Sequence, residues 1–318
     1  MLVVIAIGGE GLLGPERGLE VDSHRAGVRA AVAAVAEVAR HHNVVVTHGS
    51  APQVGLLAYQ SALSRQTAGY PLDIVEAETE GFLGYILQQE LANELRDREV
   101  VTLLTQVQVN PDDPSFDRDR KLVGPVIAPV DADRMQRERG WLMEPAGAGL
   151  RRSVPSPEPL AVVELPTIQR LVSAGVIVIC AGGGGIPVRC ERDGALSGVE
   201  AVIDKDRSAA LLASLLGADL LLYLTDVPSV AKDWGSAFAQ PIGTITPAQL
   251  RHHRFDPATM GPKVESARRF VEWTGKRAAI GAVKDAVALA GGGAGTQIVP
   301  DEPFTAVGFD ALPRTAAR

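Results

Sequence analysis

Four consecutive glycines, Gly182 to Gly185, close the apolar run Val176–Cys180, and further along Lys205 stands between Asp204 and Asp206. Successive exposed N–H groups make a concave anion seat, and an ammonium adds a compact point charge to it. A structural turn needs only one or two positive-φ residues, so the longer run predicts phosphate or acyl-phosphate contact at Gly182, Gly183 and Gly184. Only six of the 31 basic residues are lysines, which makes a lysine in this setting informative. Asp206 begins the helical pattern DRSAALLASLLG, where the helix dipole favours a carboxylate that can also orient a lysine. Lys263, in Met260-Gly261-Pro262-Lys263, falls at a second predicted helix start. A cation is disfavoured there unless it and the helix terminus bind one anion together. Cations spread around in-line oxygens, with little covalent chemistry from the protein, are what phosphoryl transfer requires.

Other motifs carry less. Gly9-Glu10-Gly11-Leu12-Leu13-Gly14 matches G-x-G-x-x-G after a strand, but Pro15 and Arg17-Gly18 follow instead of a helix. The second strand, VVVTHGS, also ends without the acidic residue a ribose needs. A turn that touches a phosphate is the better reading. There is no Walker A lysine (Gly275-Lys276 is followed by Arg277), no G-x-S-x-G and no H-E-x-x-H. His48, beside Gly49 at a strand end, reads as structural rather than catalytic. The histidine spacings suggest no bound structural metal.

The elements that position these residues alternate in type. Short apolar runs at Leu2–Ile7, Val44–Thr47, Val100–Val109, Val176–Cys180, Leu220–Thr225, Ala278–Ile280 and Thr296–Val299 read as strands. Helical patterns lie over Asp22–His41 (capped by Asp22 or Ser23), Val54–Arg65, Ile74–Arg98, Asp206–Leu216, Thr259–Thr274 and Lys284–Ala290. Near-continuous apolar strands with helices between them predict an α/β fold with a mainly parallel sheet covered on both faces. Ligands bind beyond the carboxyl ends of such strands, where Gly8, Gly9, Gly49 and Gly182 lie. The stretch 111–159, rich in Pro, Asp and Arg, reads as an excursion from the sheet with little β/α alternation, a small lid. The chain reads as one domain over 1–318, with a loosely held tail over 301–318.

Net charge of −7 and 4% aromatics argue against a nucleic-acid partner. Without an apolar run of membrane-spanning length or an export signal, the expectation is a soluble cytoplasmic protein. Cys180 and Cys190 do not make a disulfide framework.

Taken together, the strings resemble carbamate kinase, of the amino-acid kinase superfamily, over nearly the whole chain. They include IGG, THGxxPQVG (Thr47–Gly55), Leu72-Asp73, TQVxVxPxDP (Thr105–Pro114), KxxGP (Lys121–Pro125), VPSPxP (Val154–Pro159), AGGGGIPV, GVEAVIDKD, LTDV and MGPKVE. The resemblance implies an αβα sandwich with a protruding subdomain, a homodimer, and reversible transfer between ATP and carbamate with magnesium on the nucleotide. It implies that Lys205 and Lys263 stabilise the transferring group, that Asp206 orients them, and that Lys121 reaches over the phosphates. Gly8, Gly9, Glu10, Gly49, Ser50 and Ala51 would line the acceptor side. Asp204, Thr225, Asp226, Val227, Met260 and Gly261 would line the nucleotide pocket.

The departures from the family strings are concentrated. Glu10-Gly11 stands where the family has Asn-Ala, Ser50-Ala51 where it has Asn-Gly, and Pro145-Ala146-Gly147-Ala148-Gly149 where it has Asp-Ala-Gly-Arg-Gly. Pro228-Ser229-Val230 replaces Asp-Gly-Val after LTDV. A carboxylate at position 10 within a few ångström of an acceptor anion would cost on the order of 4 kcal/mol at an effective dielectric near 20. Two alternatives therefore stand beside carbamate: a different carboxylate or amine-bearing acceptor, and a nucleotide-binding protein without turnover. Retention of Lys121, Lys205 and Lys263 opposes the last.

Overall fold

A computed structural model describes residues 1–12, 21–64, 69–118, 121–257 and 259–302, apart from the side chains of residues 10 and 21–24. The expected tail lies outside the described residues from 303 onward.

Eight strands form the main sheet: Leu2–Ile7 (β1), Asn43–His48 (β2), Val100–Thr102 (β3), Ile177–Ile179 (β9), Leu220–Thr225 (β12), Thr244–Ile245 (β15), Arg277–Ala282 (β16) and Thr296–Ile298 (β17). Their order is β15-β17-β16-β12-β1-β2-β9-β3, and every pairing is parallel except β16 with β17. Alternation along the strands supplies two apolar faces. Val4, Ala6, Val45, Val178, Leu221, Tyr223 and Ile280 pack against Leu165–Ser173 (α5), Lys205–Leu215 (α6) and Met260–Thr274 (α8). The intervening Val3, Ile5, Ile7, Val46, Ile179, Leu222 and Leu224 pack against Val21–Ala39 (α1), Leu72–Glu94 (α3) and Ala286–Ala290 (α9). A sheet apolar on both faces must be covered on both, and the result is a three-layer αβα sandwich.

Smaller pieces complete the fold. Gln106–Val109 (β4), Pro159–Val162 (β8), Ile186–Cys190 (β10) and Leu196–Gly198 (β11) make a four-stranded sheet. Ala231–Lys232 (β13) and Gln240–Pro241 (β14) make a ribbon, and Pro247–Leu250 (α7) precedes α8. Lys121–Ile127 (β5), Leu142–Ala146 (β6) and Gly149–Val154 (β7) form an antiparallel sheet, with Pro129–Arg139 (α4) between its first two strands.

Several expectations need correction. The run Val100–Val109 is two strands in different sheets. The Leu103 N–H still bonds Ile179 O at 2.9 Å, but Thr105 O accepts from Ile186 N at 2.8 Å, so the chain crosses over at residues 103–105. Asp22 and Ser23 lie inside α1 rather than at its cap, because the helix begins at Val21. The segment 111–159 is also more regular than its composition suggests. Two of its Pro and Gly residues mark ends of an element: Pro129 starts α4, and Gly140 ends it with a left-handed φ of 67°.

The three-stranded sheet meets the body where Ala51–Leu63 (α2) crosses β5. A Cβ on Gly55 would run into the Gly124 backbone, and one on Gly124 would meet Gly55 Cα at 2.7 Å. Replacing Gly55 by Ala is expected to cost about 2 kcal/mol from overpacking. Gly81→Ala, inside α3 with open space around its Cα, is expected to add roughly 0.5–1 kcal/mol from helix propensity. Denaturant midpoints of the two variants check both signs; equal shifts would contradict the close crossing.

Candidate active site

Consecutive strands of the sheet deliver the site. β12, β1, β2 and β9 lie side by side, and their C-terminal ends carry Thr225, Gly8, Gly49 and the loop at Ala181–Gly185. The chain leaves β1 in one direction to β2, while β12 flanks its other side, so a crevice opens between the departing loops. Gly8 N–H donates to Leu224 O at 2.8 Å, and Gly49 N–H donates to Ile7 O at 3.0 Å. The two turns nearly touch: a Cβ on Gly49 would lie 2.6 Å from Gly9 N and 3.0 Å from Lys205 Cδ. The lysine stem therefore passes over two glycine backbones that a side chain would obstruct.

Lys205 opens α6, with Asp204 as its N-cap accepting from the N–H groups of Asp206 (2.9 Å) and Arg207 (3.4 Å). This fixes the first turn so that Asp206 faces inward. One carboxylate oxygen of Asp206 pairs with Lys205 Nζ; the other accepts from Lys263 Nζ at 3.1 Å, reaching across from the start of α8. The side chains are 5% exposed at Asp206, 12% at Lys205 and 11% at Lys263, leaving a narrow opening on two ammonium groups. Tyr223, fully buried on β12, donates its hydroxyl to Asp206 O at 2.7 Å and ties α6 to the sheet. Lys121 Nζ, from β5 of the small sheet, pairs with Asp204 at 3.0 Å.

The charges set the titrations. Burial lowers the Lys205 pKa to about 8, with repulsion from Lys263 adding to it and Asp206 only partly restoring it. Burial acts the same way on Lys263, but Asp206 outweighs it and holds that lysine above its ordinary value. For Asp204, the pull of Lys121 and Lys205 overcomes desolvation and keeps its carboxyl well below the usual range.

The glycine loop corrects the reasoning from sequence. Gly183, Gly184 and Gly185 take φ values of 69°, 112° and 91°, and Ala181 takes 50°. Three of the four glycines are thus demanded by conformation. Gly182 is demanded by packing, since its Cβ would strike His48 Nε2. The Gly184 and Gly185 N–H groups bond backward to Ala181 O and Gly182 O, and Glu80 accepts from Gly182. The loop is a rigid wall more than an open nest. Ser208 holds it to α6 through Gly184 O at 2.7 Å, and Thr47 holds it to β2 through Ala181 O at 2.8 Å.

The remaining expected residues lie around this centre. Ser50 is the N-cap residue of α2, but its hydroxyl donates to Glu76 Oε2 at 3.3 Å instead of capping, and Ala51 begins the helix. Met260 and Gly261 open α8, and the Gly261 N–H donates to the Asp256 carbonyl at 2.7 Å. Thr225 ends β12 beside Gly8; Asp226 and Val227 follow in the turn beyond, with Asp226 exposed. Glu10 belongs to the turn Gly9–Leu12, and its side chain lies outside the described residues. Among the described residues no group of three or more His, Cys, Asp or Glu is placed to hold a metal.

Sequence reasoning missed Glu76 and Glu80. Both are buried on α3, and each has one carboxylate oxygen without a partner. The signal was present: Leu72, Val75, Glu76, Thr79, Glu80 and Leu83 follow the three–four spacing of a buried helix face. Burial pushes the Glu76 carboxyl up to about 8 and Glu80 well above its ordinary value. His48 is buried as well, and desolvation lowers it to about 4, so it is a neutral packing residue at pH 7.

Comparison with known proteins adds an independent line. The family model of the amino acid kinase family matches residues 1–281. A carbamate kinase of Rhizobium meliloti (strain 1021) is 45% identical over 301 residues, covering 94% of this chain and 93% of that protein. One from Haemophilus influenzae is 43% identical over 300 residues, covering 94% and 96%. The solved structure of carbamate kinase from Giardia lamblia bound to AMP-PNP superposes with a TM-score of 0.84 at 35% identity, covering 94% of this chain and 98% of that one.

Replacing Asp206 by Asn leaves two nearly buried ammonium groups without their counter-charge. The expected loss of folding stability is about 3–5 kcal/mol. The Asp204→Asn loss is expected to be smaller, because Lys121 is 23% exposed and can turn to water. Urea midpoints at pH 7 decide; equal losses would contradict the ranking.

Proposed function

This chain belongs to the amino acid kinase family, and from that premise we propose that it transfers the γ-phosphoryl group of ATP reversibly to carbamate, forming carbamoyl phosphate and ADP. The observation that carries the proposal is the pair of lysines held on opposite oxygens of Asp206, beside glycine-lined strand ends. Carbamate kinase relatives aligned over 94% of the chain support the choice of acceptor.

The chemistry assigns each group a role. A carbamate oxygen attacks the γ-phosphorus and the bond to the ADP oxygen breaks; the acceptor is already anionic, so no protein base or covalent intermediate is needed. Charge spreads over the equatorial oxygens of the transferring group, and Lys205 and Lys263 supply fixed positive charge to them. Asp206 keeps both ammonium groups converged without reorganisation. Lys121 leaves Asp204 and turns to the phosphates, drawing the small sheet, 111–159 in the sequence reading, over the crevice. Gly8, Gly9, Gly49 and the start of α2 at Ser50 and Ala51 seat the acceptor, with the glycine loop behind them. Thr225, Asp226, Val227, Met260 and Gly261 border the nucleotide, and magnesium arrives on its phosphates. We also assign a homodimer, supported by exposed Ile74 and Tyr85 along α3 and Leu104 beside the edge strand β3. Its compartment is the reducing cytoplasm.

A different small carboxylate or amine-bearing acceptor is the second reading. The diversion of the Ser50 hydroxyl to a buried carboxyl favours it, since that hydroxyl flanks the acceptor seat.

Incubation with carbamoyl phosphate and ADP is expected to yield ATP, and Lys205→Ala is expected to lower the rate by about 10²–10³. No ATP from carbamoyl phosphate, with transfer to another carboxylate, would replace carbamate by the second reading. ATP binding without transfer to any acceptor would make the chain a nucleotide-binding protein. In the free enzyme kcat/KM for ADP is expected to fall above pH 8, as Lys205 loses its proton. Lys205→Arg should remove that alkaline limb; an unchanged limb would exclude Lys205 as its origin.

A further inference from the structure

Glu76 has no role in the chemistry just derived, yet it occupies a place where a carboxyl is costly. Its residue is fully buried, and its Oε1 has no hydrogen-bond partner. Its Oε2 lies 3.3 Å from Ser50 Oγ and 3.5 Å from Thr79 Oγ1. Gly183 closes the third side: a Cβ there would collide with both Glu76 Oε2 and Ser50 Oγ. The carboxyl is thus the joint between the start of α2 and the glycine wall, directly behind the acceptor seat.

The groups facing it from each packed element are few. Lys121 of β5 is the cation whose charge reaches it, and that lysine is already paired with Asp204. Ser50 comes from the start of α2, Thr79 and Glu80 from α3 itself, and Gly183 from the loop. His48, at the end of β2, is neutral and packs against Gly182. Among the described residues no positive group bonds the carboxyl, so the neutral acid is the form that fits. A neutral acid still accepts from the Ser50 hydroxyl at Oε2 and holds the seat together without adding charge to it.

On the phosphotransfer reading above, we propose that Glu76 is a positioning residue for the acceptor half of the site, a neutral carboxyl that fixes Ser50 and the start of α2 against the glycine loop. Loss of its proton places a negative charge immediately behind the seat of an anionic substrate. Acceptor binding then weakens with rising pH, while the nucleotide side, built on the opposite flank by Thr225 and Met260, is unaffected. Titration near pH 8 follows from burial. The folded protein keeps a proton that the unfolded chain has released, so folding stability declines as pH rises from about 4.5 to 8.

The test compares the wild-type protein with Glu76→Gln, which keeps the shape and a donor but cannot ionise. Carbamoyl phosphate binding is followed by calorimetry between pH 7 and 9 without nucleotide, and ADP binding in parallel. The wild type is expected to lose acceptor affinity by about tenfold or more across that range, and Glu76→Gln, which keeps only the Lys205 titration, to lose clearly less. ADP affinity should not change with the substitution, and the fall in thermal stability with pH should be shallower in Glu76→Gln. Parallel pH profiles for the two proteins, or an equal loss of acceptor and ADP affinity in Glu76→Gln, would overturn the assignment. So would the absence of carbamoyl phosphate binding at every pH. Binding that behaves as expected, with no transfer to ADP, would instead refute the phosphotransfer reading and leave the role of Glu76 standing. If Glu76→Gln does not fold, Glu76→Asp with its shorter reach is expected to shift the profile, and an unshifted one counts against the proposal.

Discussion

One carboxylate shared by two nearly buried ammonium groups is the constraint on which the site depends. Asp206 can serve Lys205 and Lys263 at once only if α6 and α8 begin at the same place and face each other. All three charges carry a desolvation cost, which Asp206 outweighs at Lys263 but not at Lys205. Burial lowers the Lys205 pKa toward 8 even beside that carboxylate. Such an arrangement is poor for stability and well suited to a charge that must be met without rearrangement when phosphate oxygens arrive.

The fold tolerates this because the strain is concentrated at one edge. Below the site, the sheet packs apolar side chains on both faces between helical layers. Above it, backbone does the positioning: Gly8, Gly9 and Gly49 bring three chain segments together without side chains, and Asp204 caps α6 while pairing Lys121 from the small sheet. Asp204 thus joins helix capping to the placement of Lys121. The Gly55–Gly124 crossing and the Arg152–Glu200 pair at 2.6 Å give that small sheet its footing on the body.

Much of this was legible in the sequence, for identifiable reasons. Strands such as Leu2–Ile7 and Leu220–Thr225 are near-continuous apolar runs, the first closed by Gly8 and the second lying between Asp219 and Asp226, so their type and ends are readable from the residues alone. Lys205 and Lys263 stood out because each is a lysine at a predicted helix start. The glycine run stood out by its length, and its conformation and the proximity of His48 add a structural demand for each of the four residues. The break of Val100–Val109 was hidden because a strand changing sheets keeps its apolar pattern. Glu76 and Glu80 were passed over because a glutamate in a helix normally faces water, although their spacing with Leu72, Val75 and Leu83 places them on the buried face. The family strings brought the donor half into view, whereas the acceptor half differs from them at Ser50 and Ala51.

The central claim is that Lys205 and Lys263 act as one clamp held by Asp206. A double-mutant cycle with Lys205→Met and Lys263→Met, read as kcat for ATP formation from carbamoyl phosphate and ADP, tests it most directly. Each single change is expected to remove most of the rate, and the double change to lower it by no more than about tenfold further, because groups acting as a unit lose their effect together. Losses that simply multiply would show two independent charges and contradict the account.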